Sequence, residues 1–230
     1  MSTAGRALGG PFRPAARAVR LLPAAFAAAV LLDLASLLAG WETGHLVAKP
    51  LLMPLLAAYA AARGGPRTLV AALLSGWAGD VLLMAGGDLA FLLGMAAFAA
   101  GHCCYLTLFA RGRTSPLLGA GYAVVLAGAL VALWPDLPAG LRLPVAAYSL
   151  LLTAMAYRSS AAGALAGLGG ALFLLSDMLI ATGLAAWPRL PAADFWVMLT
   201  YAAAQCLLTL GALGRASAGG GAYGEARTDV

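Results

Sequence analysis

The chain has 230 residues, 63% of them hydrophobic and only 10% charged, with a mean hydropathy of +0.90 and a formal net charge of +5. A soluble domain needs a far larger polar share to cover its surface, so composition alone specifies an integral membrane protein. It also excludes a nucleic-acid-binding module, because the arginines fall in short turns and tails and do not interleave with aromatics as a binding stripe would.

Residues 1–20 form a basic Gly/Pro/Ala-rich tail with Arg6, Arg13, Arg17 and Arg20, expected to be disordered up to the membrane. The apolar run 21–39 resembles a signal-peptide core with a cleavage site near Ala27 to Ala29. It continues well past that point, however, and is expected to be an uncleaved first helix carrying Asp33. About 20 apolar residues cross a hydrocarbon core, and this rule divides the rest into spans at 46–62, 67–85, 89–110, 116–134, 142–158, 163–185 and 194–213. A Gly-rich polar tail is expected at 214–230. The fold class is therefore all-α, a bundle of eight transmembrane helices over 21–213. The intervening turns, such as Arg63-Gly-Gly-Pro-Arg67 and Trp134-Pro-Asp-Leu-Pro138, are too short for a soluble domain, so any chemistry belongs to the helices.

Orientation follows from the basic residues. Arg6, Arg13, Arg17, Arg20, Arg63, Arg67, Arg111, Arg113, Arg158, Arg215 and Arg227 fall on one side of the bundle, against Lys49, Arg142 and Arg189 on the other. Both termini are thus expected in the cytoplasm, and the even helix number agrees. The Ala, Gly and Arg content fits a high-GC bacterial coding bias, hence a bacterial cytoplasmic membrane.

An ionisable side chain at bilayer depth is costly and marks function by default. Two stretches carry one in the same setting, Ser75-Gly-Trp-Ala-Gly-Asp80 in the third span and Gly170-Ala-Leu-Phe-Leu-Leu-Ser-Asp177 in the seventh. At about 1.5 Å rise per residue, Asp80 sits toward the outer side and Asp177 a little beyond the midplane. Asp33 shares that outer depth, Lys49 opens the second span there, and His102 and Gln205 lie near the midplane. Gly94, Phe98, His102 and Tyr105 advance by three or four residues and keep one helical stripe. Tyr201 and Gln205 share a face, as do Phe173 and Asp177. Apolar walls with a few convergent polar groups are the usual composition of a small-molecule site, and the two acids are expected to face one cavity.

These residues also carry a resemblance. Lys49-Pro-Leu-Leu-Met53, Gly79-Asp80, Gly94-x-x-x-Phe98-x-x-x-His102-x-x-Tyr105, Gly170 to Asp177 and Tyr201-x-x-x-Gln205 follow one another on successive spans, and in this order the chain resembles the YhhN family of membrane proteins, whose eukaryotic relatives are lysoplasmalogenases. The resemblance implies hydrolysis of the vinyl-ether bond of a lysoplasmalogen to a fatty aldehyde and a glycerophospho-alcohol, with a lysophospholipid as substrate and no cofactor.

The chemistry fits the residues. A vinyl ether is cleaved by protonating its β-carbon, which gives an oxocarbenium ion that water captures. That requires an acid still protonated at neutral pH and a partner that steadies the cation. Burial keeps a carboxyl group protonated, and two carboxyls in unlike environments divide into acid and base. Asp80 and Asp177 are the candidate catalytic pair, with Asp177 favoured as the acid on its estimated depth. His102, Tyr105, Tyr201 and Gln205 are candidates to orient a carboxyl or water, and Lys49 to meet the lipid phosphate or to pair with Asp80.

Each assignment has a plainer counterpart. An intramembrane Asp can serve only to tie helices together, which is the favoured reading for Asp33 alone. Lys49-Pro50 reads equally as an interfacial anchor with proline at the first helical position. With His45, expected at a loop edge, and His102 the only histidines, a three-histidine zinc site cannot be built; Gly-x-Ser-x-Gly is absent, and Cys103, Cys104 and Cys206 read as packing residues. The Asp-aliphatic and His/Gln-Cys patterns of the third and fourth spans recur in the seventh and eighth, which suits two parallel four-helix halves with a site between them. A non-catalytic carrier or binder of a lipid or small amphiphile is the alternative function.

Overall fold

A computed structural model describes the backbone of residues 16–225 and the side chains of 19–216. Its eight α-helices are α1 (Ala16–Ala39), α2 (Glu42–Ala62), α3 (Arg67–Ala85), α4 (Asp88–Leu108), α5 (Pro116–Leu133), α6 (Ala139–Ser159), α7 (Ala164–Leu184) and α8 (Ala193–Glu225), with one 3₁₀ turn at Ser160–Ala162. Every one of the eight is long and apolar enough to cross a membrane, and no strand occurs among the described residues. The chain is an integral membrane protein built as a polytopic helical bundle.

Helix limits differ from the expected spans mainly at their ends, because polar terminal turns continue the helices beyond the apolar core. Thus α2 begins at Glu42, four residues before the apolar run, and α8 carries on to Glu225. Of the tails expected at 1–20 and 214–230, residues 1–15 and 226–230 lie outside the described residues. The α3–α4 reversal is made by Gly86 and Gly87 at φ 73° and 86°, a left-handed backbone that side-chain-bearing residues resist. Pro116 starts α5 at a position where the missing N–H costs nothing, after Ser115, whose side chain accepts from the Leu118 amide.

Lipid tails are as apolar as leucine, so helix association here rests on close backbone approach rather than on a hydrophobic drive. The most extensive packing is of α3 with α4 and of α7 with α8. A Cβ on Gly211 would lie 2.7 Å from Ala166 Cβ, and one on Gly169 would lie 2.8 Å from the Leu208 amide nitrogen, so α7 and α8 meet through their glycines. On the other pair, a Cβ at Gly79 would lie 2.6 Å from the Phe98 ring, which lets that ring lie against α3 beside Asp80. By contrast α5 packs substantially only on α6 and turns Leu117, Val124 and Val131 outward to lipid. A cavity opens between α5 and the helices behind it.

Candidate active site

The cavity, of about 110 Å³, is lined by Lys49 from α2, Asp80 from α3, Phe98 from α4, Tyr148 and Thr153 from α6, Asp177 from α7 and Tyr201 from α8. One apolar wall runs along α5 through Val125, Leu126, Ala129, Leu130 and Leu133. Both acids therefore face the same space. Asp80 is buried at 3% exposure, whereas Asp177 is only partly covered.

The two carboxyls have unlike partners. Tyr201 donates its hydroxyl to Asp80 Oδ2 at 2.8 Å, and Lys49 Nζ lies 3.8 Å from Asp80 Oδ1. Behind Tyr201, Gln205 Nε2 donates to the Tyr201 hydroxyl at 3.5 Å, and Tyr105 donates to Gln205 Oε1 at 2.7 Å. Asp177 forms no ion pair among the described residues. Its partner is the Tyr148 hydroxyl, which donates to Oδ2 and is itself 3.1 Å from His102 Nε2. Because Tyr148 spends its one proton on Asp177, it accepts from His102, which fixes the Nε2–H tautomer and leaves Nδ1 unpartnered among the described residues.

Aromatic edges hold this set in register. Phe173 stands edge-on to His102 at 4.9 Å between centroids and to Tyr201 at 5.4 Å, and Phe98 caps both Phe173 and Tyr201 at 6.3 and 6.0 Å. Each acid is served from other helices: Asp80 on α3 by Tyr201 and Gln205 on α8, and Asp177 on α7 by Tyr148 on α6 and, behind it, His102 on α4. Rigid rings on separate helices fix the hydroxyls without long flexible stems.

Of the residues singled out in the sequence, Lys49, Asp80, Asp177 and Tyr201 line the cavity. His102, Tyr105 and Gln205 stand one layer behind, joined to the acids through the tyrosines. Lys49 lies two turns inside α2 and turns toward Asp80. Asp33 is buried and pairs with His45 Nδ1 at 2.8 Å, and His45 lies in the first turn of α2, which starts at Glu42, rather than at a loop edge. Among the described residues no three His, Cys, Asp or Glu side chains converge to hold a metal ion.

Tyr148 is the residue that sequence reasoning missed. Its span matched no motif, yet it is the one aromatic in the middle of α6, followed by Ser149 and Thr153, a polar stripe in a lipid-embedded helix.

Fold and site together define a polytopic helical membrane protein with a carboxyl pair in a cavity of largely apolar lining. The chain belongs to the YhhN family, whose profile matches residues 44–212. It is similar to the human protein named lysoplasmalogenase TMEM86B, 41% identical over 152 residues that make up 65% of this chain and 65% of that protein. The rat protein of the same name is 37% identical over 181 residues, 75% of this chain and 74% of its own length, and the pig protein 40% over 163 residues, 69% of each. The match thus spans just under two thirds of the human relative. No solved structure matches the chain.

Proposed function

We propose that this protein is an intramembrane hydrolase that cleaves the vinyl-ether bond of lysoplasmalogens, with Asp177 as the proton donor and Asp80 as the carboxylate. The observation that carries the assignment is the difference between the partners: Asp80 has the Lys49 ammonium at 3.8 Å and a tyrosine donor, Asp177 a tyrosine donor alone. A cation favours the charged form of Asp80, and Asp177, which has no ion-pair partner among the described residues, is the better placed to hold a proton. The relatives named lysoplasmalogenase support the substrate class.

The proton balance closes on these two groups. Tyr148 occupies Asp177 Oδ2, leaving Oδ1 to carry the proton toward the cavity. The Asp177 O–H breaks as the alkene π pair forms a C–H bond at the β-carbon, and the positive charge passes to the oxocarbenium carbon and oxygen. The Asp80 carboxylate steadies that charge and takes a proton from water as the water oxygen bonds to the carbon, giving a hemiacetal. Collapse reverses the roles. Asp177 takes the hemiacetal O–H proton, Asp80 gives its proton to the departing alcohol oxygen, and the aldehyde leaves with both carboxyls restored. One water is consumed and no redox partner is needed. The charge pattern of the turns supports both termini on the cytoplasmic face, and the composition supports a bacterial cytoplasmic membrane.

Purified protein in detergent, given a lysoplasmalogen, should release free aldehyde. Asp80→Asn and Asp177→Asn should each lower the rate by at least about 100-fold, the scale of a lost general acid or base, while melting temperature and helical content stay near those of the parent. Turnover retained by either variant would remove that residue from the mechanism. Absence of aldehyde with the parent protein, together with lipid movement across vesicles that contain it, would replace the enzyme by a carrier.

A further inference from the structure

Hydroxyl groups inside helices normally return to the carbonyl three or four residues earlier, which spares them an unpaired burial. Ser36, Ser159, Ser160, Thr182 and Thr200 all do so here, at 2.7 to 2.9 Å. Thr153 and Thr209 break the rule: both are buried, and among the described residues neither Oγ1 has a hydrogen-bond partner. Of the two, Thr153 lines the cavity that holds the two acids and Thr209 does not. Ser149, four residues earlier on the same face of α6, lines the same wall. Leaving a buried hydroxyl unpaired is costly, so one on a cavity-lining residue that lacks the usual back-bond remains available to a ligand there.

We infer that Thr153 is the specificity residue that hydrogen-bonds the free hydroxyl of the lysolipid glycerol. This rests on the hydrolase reading and says how that site recognises a lipid lacking its second chain. The spacing suits it: Thr153 lies roughly 7.5 Å along α6 from Tyr148, at 1.5 Å per residue, and Tyr148 touches the proposed acid. In the substrate the free hydroxyl sits on the carbon next to the one that bears the ether oxygen. A vinyl ether at Asp177 therefore carries its hydroxyl toward this wall, where a diacyl-type lipid would have to force a second chain against Thr153, Ser149 and Leu152. A site that pairs a substrate hydroxyl discriminates strongly against an analogue without it, because its own buried group is then left unpaired.

The test uses full-length protein and the Thr153→Val and Thr153→Ser variants. Each is assayed with a 1-alkenyl lysophospholipid and with its 2-deoxy analogue, and for binding of the uncleavable 1-alkyl lysophospholipid and its own 2-deoxy form. Valine is isosteric and removes an unpaired group, so T153V should fold and melt no lower than the parent, whereas a structural hydrogen bond would be lost with a fall in melting temperature. The expected result is that T153V loses about 10- to 100-fold in kcat/KM and in alkyl-lipid affinity. The parent should lose a similar factor on the 2-deoxy lipids, T153V should no longer distinguish the two lipids, and T153S should stay near the parent. Equal loss by T153V on both lipids would assign the hydroxyl to water instead and overturn the inference, as would undiminished selectivity in T153V. If the parent releases no aldehyde, the hydrolase reading fails, and the alkyl-lipid binding arm still decides the role of Thr153.

Discussion

Tyr148→Phe is the most exacting probe of the arrangement, because it deletes one oxygen and touches nothing else. That oxygen bridges Asp177 Oδ2 and His102 Nε2, the latter at 3.1 Å. Asp177 faces the cavity, where water can replace the lost donor. His102 is only 1% exposed and its Nδ1 already lacks a partner, so in the variant the whole imidazole is left dry and unpaired. One stranded polar group costs about 1–3 kcal/mol, and stability should fall by about that amount, read from thermal unfolding in detergent. Freed from Tyr148, the Asp177 carboxyl loses the donor that reserves Oδ1 for the proton. A neutral hydrogen bond is worth about 0.5–1.5 kcal/mol, so kcat should drop about two- to tenfold with KM little changed, as for a group that acts in the transition state. His102→Leu should cost less than Tyr148→Phe in kcat. The double variant should lose no more than Tyr148→Phe alone, since His102 reaches the acid only through Tyr148, and pairs that act as a unit are non-additive. Additive losses, or a Tyr148→Phe protein with unaltered kcat and unaltered melting, would refute the chain from His102 to Asp177.

Lys49→Met should keep the bundle folded yet lower aldehyde formation about tenfold, because Asp80 loses the cation that favours its charged form; unchanged kinetics would return Lys49 to the role of interfacial anchor. Gly170→Ala should destabilise the protein by about 1–3 kcal/mol, the usual cost of overpacking, since its Cβ would fall 2.3 Å from Ser159 Oγ and 2.8 Å from Ala156 Cα. Gly128→Ala is the matched control: with nothing within 4 Å of its Cβ, it should be neutral or gain up to about 1 kcal/mol of helix propensity. Thermal unfolding of the two side by side separates backbone contact between α6 and α7 from glycine content as such.

Much of this protein was legible before any coordinate. Twenty-residue apolar runs leave a chain no option but to cross the bilayer as helices, since lipid offers backbone amides no other partner, and so the eight spans could be counted directly. Acids in those runs stand out because they oppose their surroundings, and Asp80, Asp177, His102 and Gln205 were visible for that reason. Helical phase also joined Gly94, Phe98, His102 and Tyr105 correctly, because it is a property of one helix. Pairing between helices is not. Nothing local marks Tyr148 as the partner of Asp177, or Lys49 as facing Asp80 rather than the lipid surface, and His45 looked like a loop residue because α2 begins one polar turn before its apolar run.

The sequence by itself determined the medium, the helices and the expensive residues, since each follows from transfer free energy along a single segment. Only the tertiary structure decided which acid pairs with a cation, and which hydroxyls are already spent, because both depend on how glycine-lined backbones approach and turn separate helices toward one cavity.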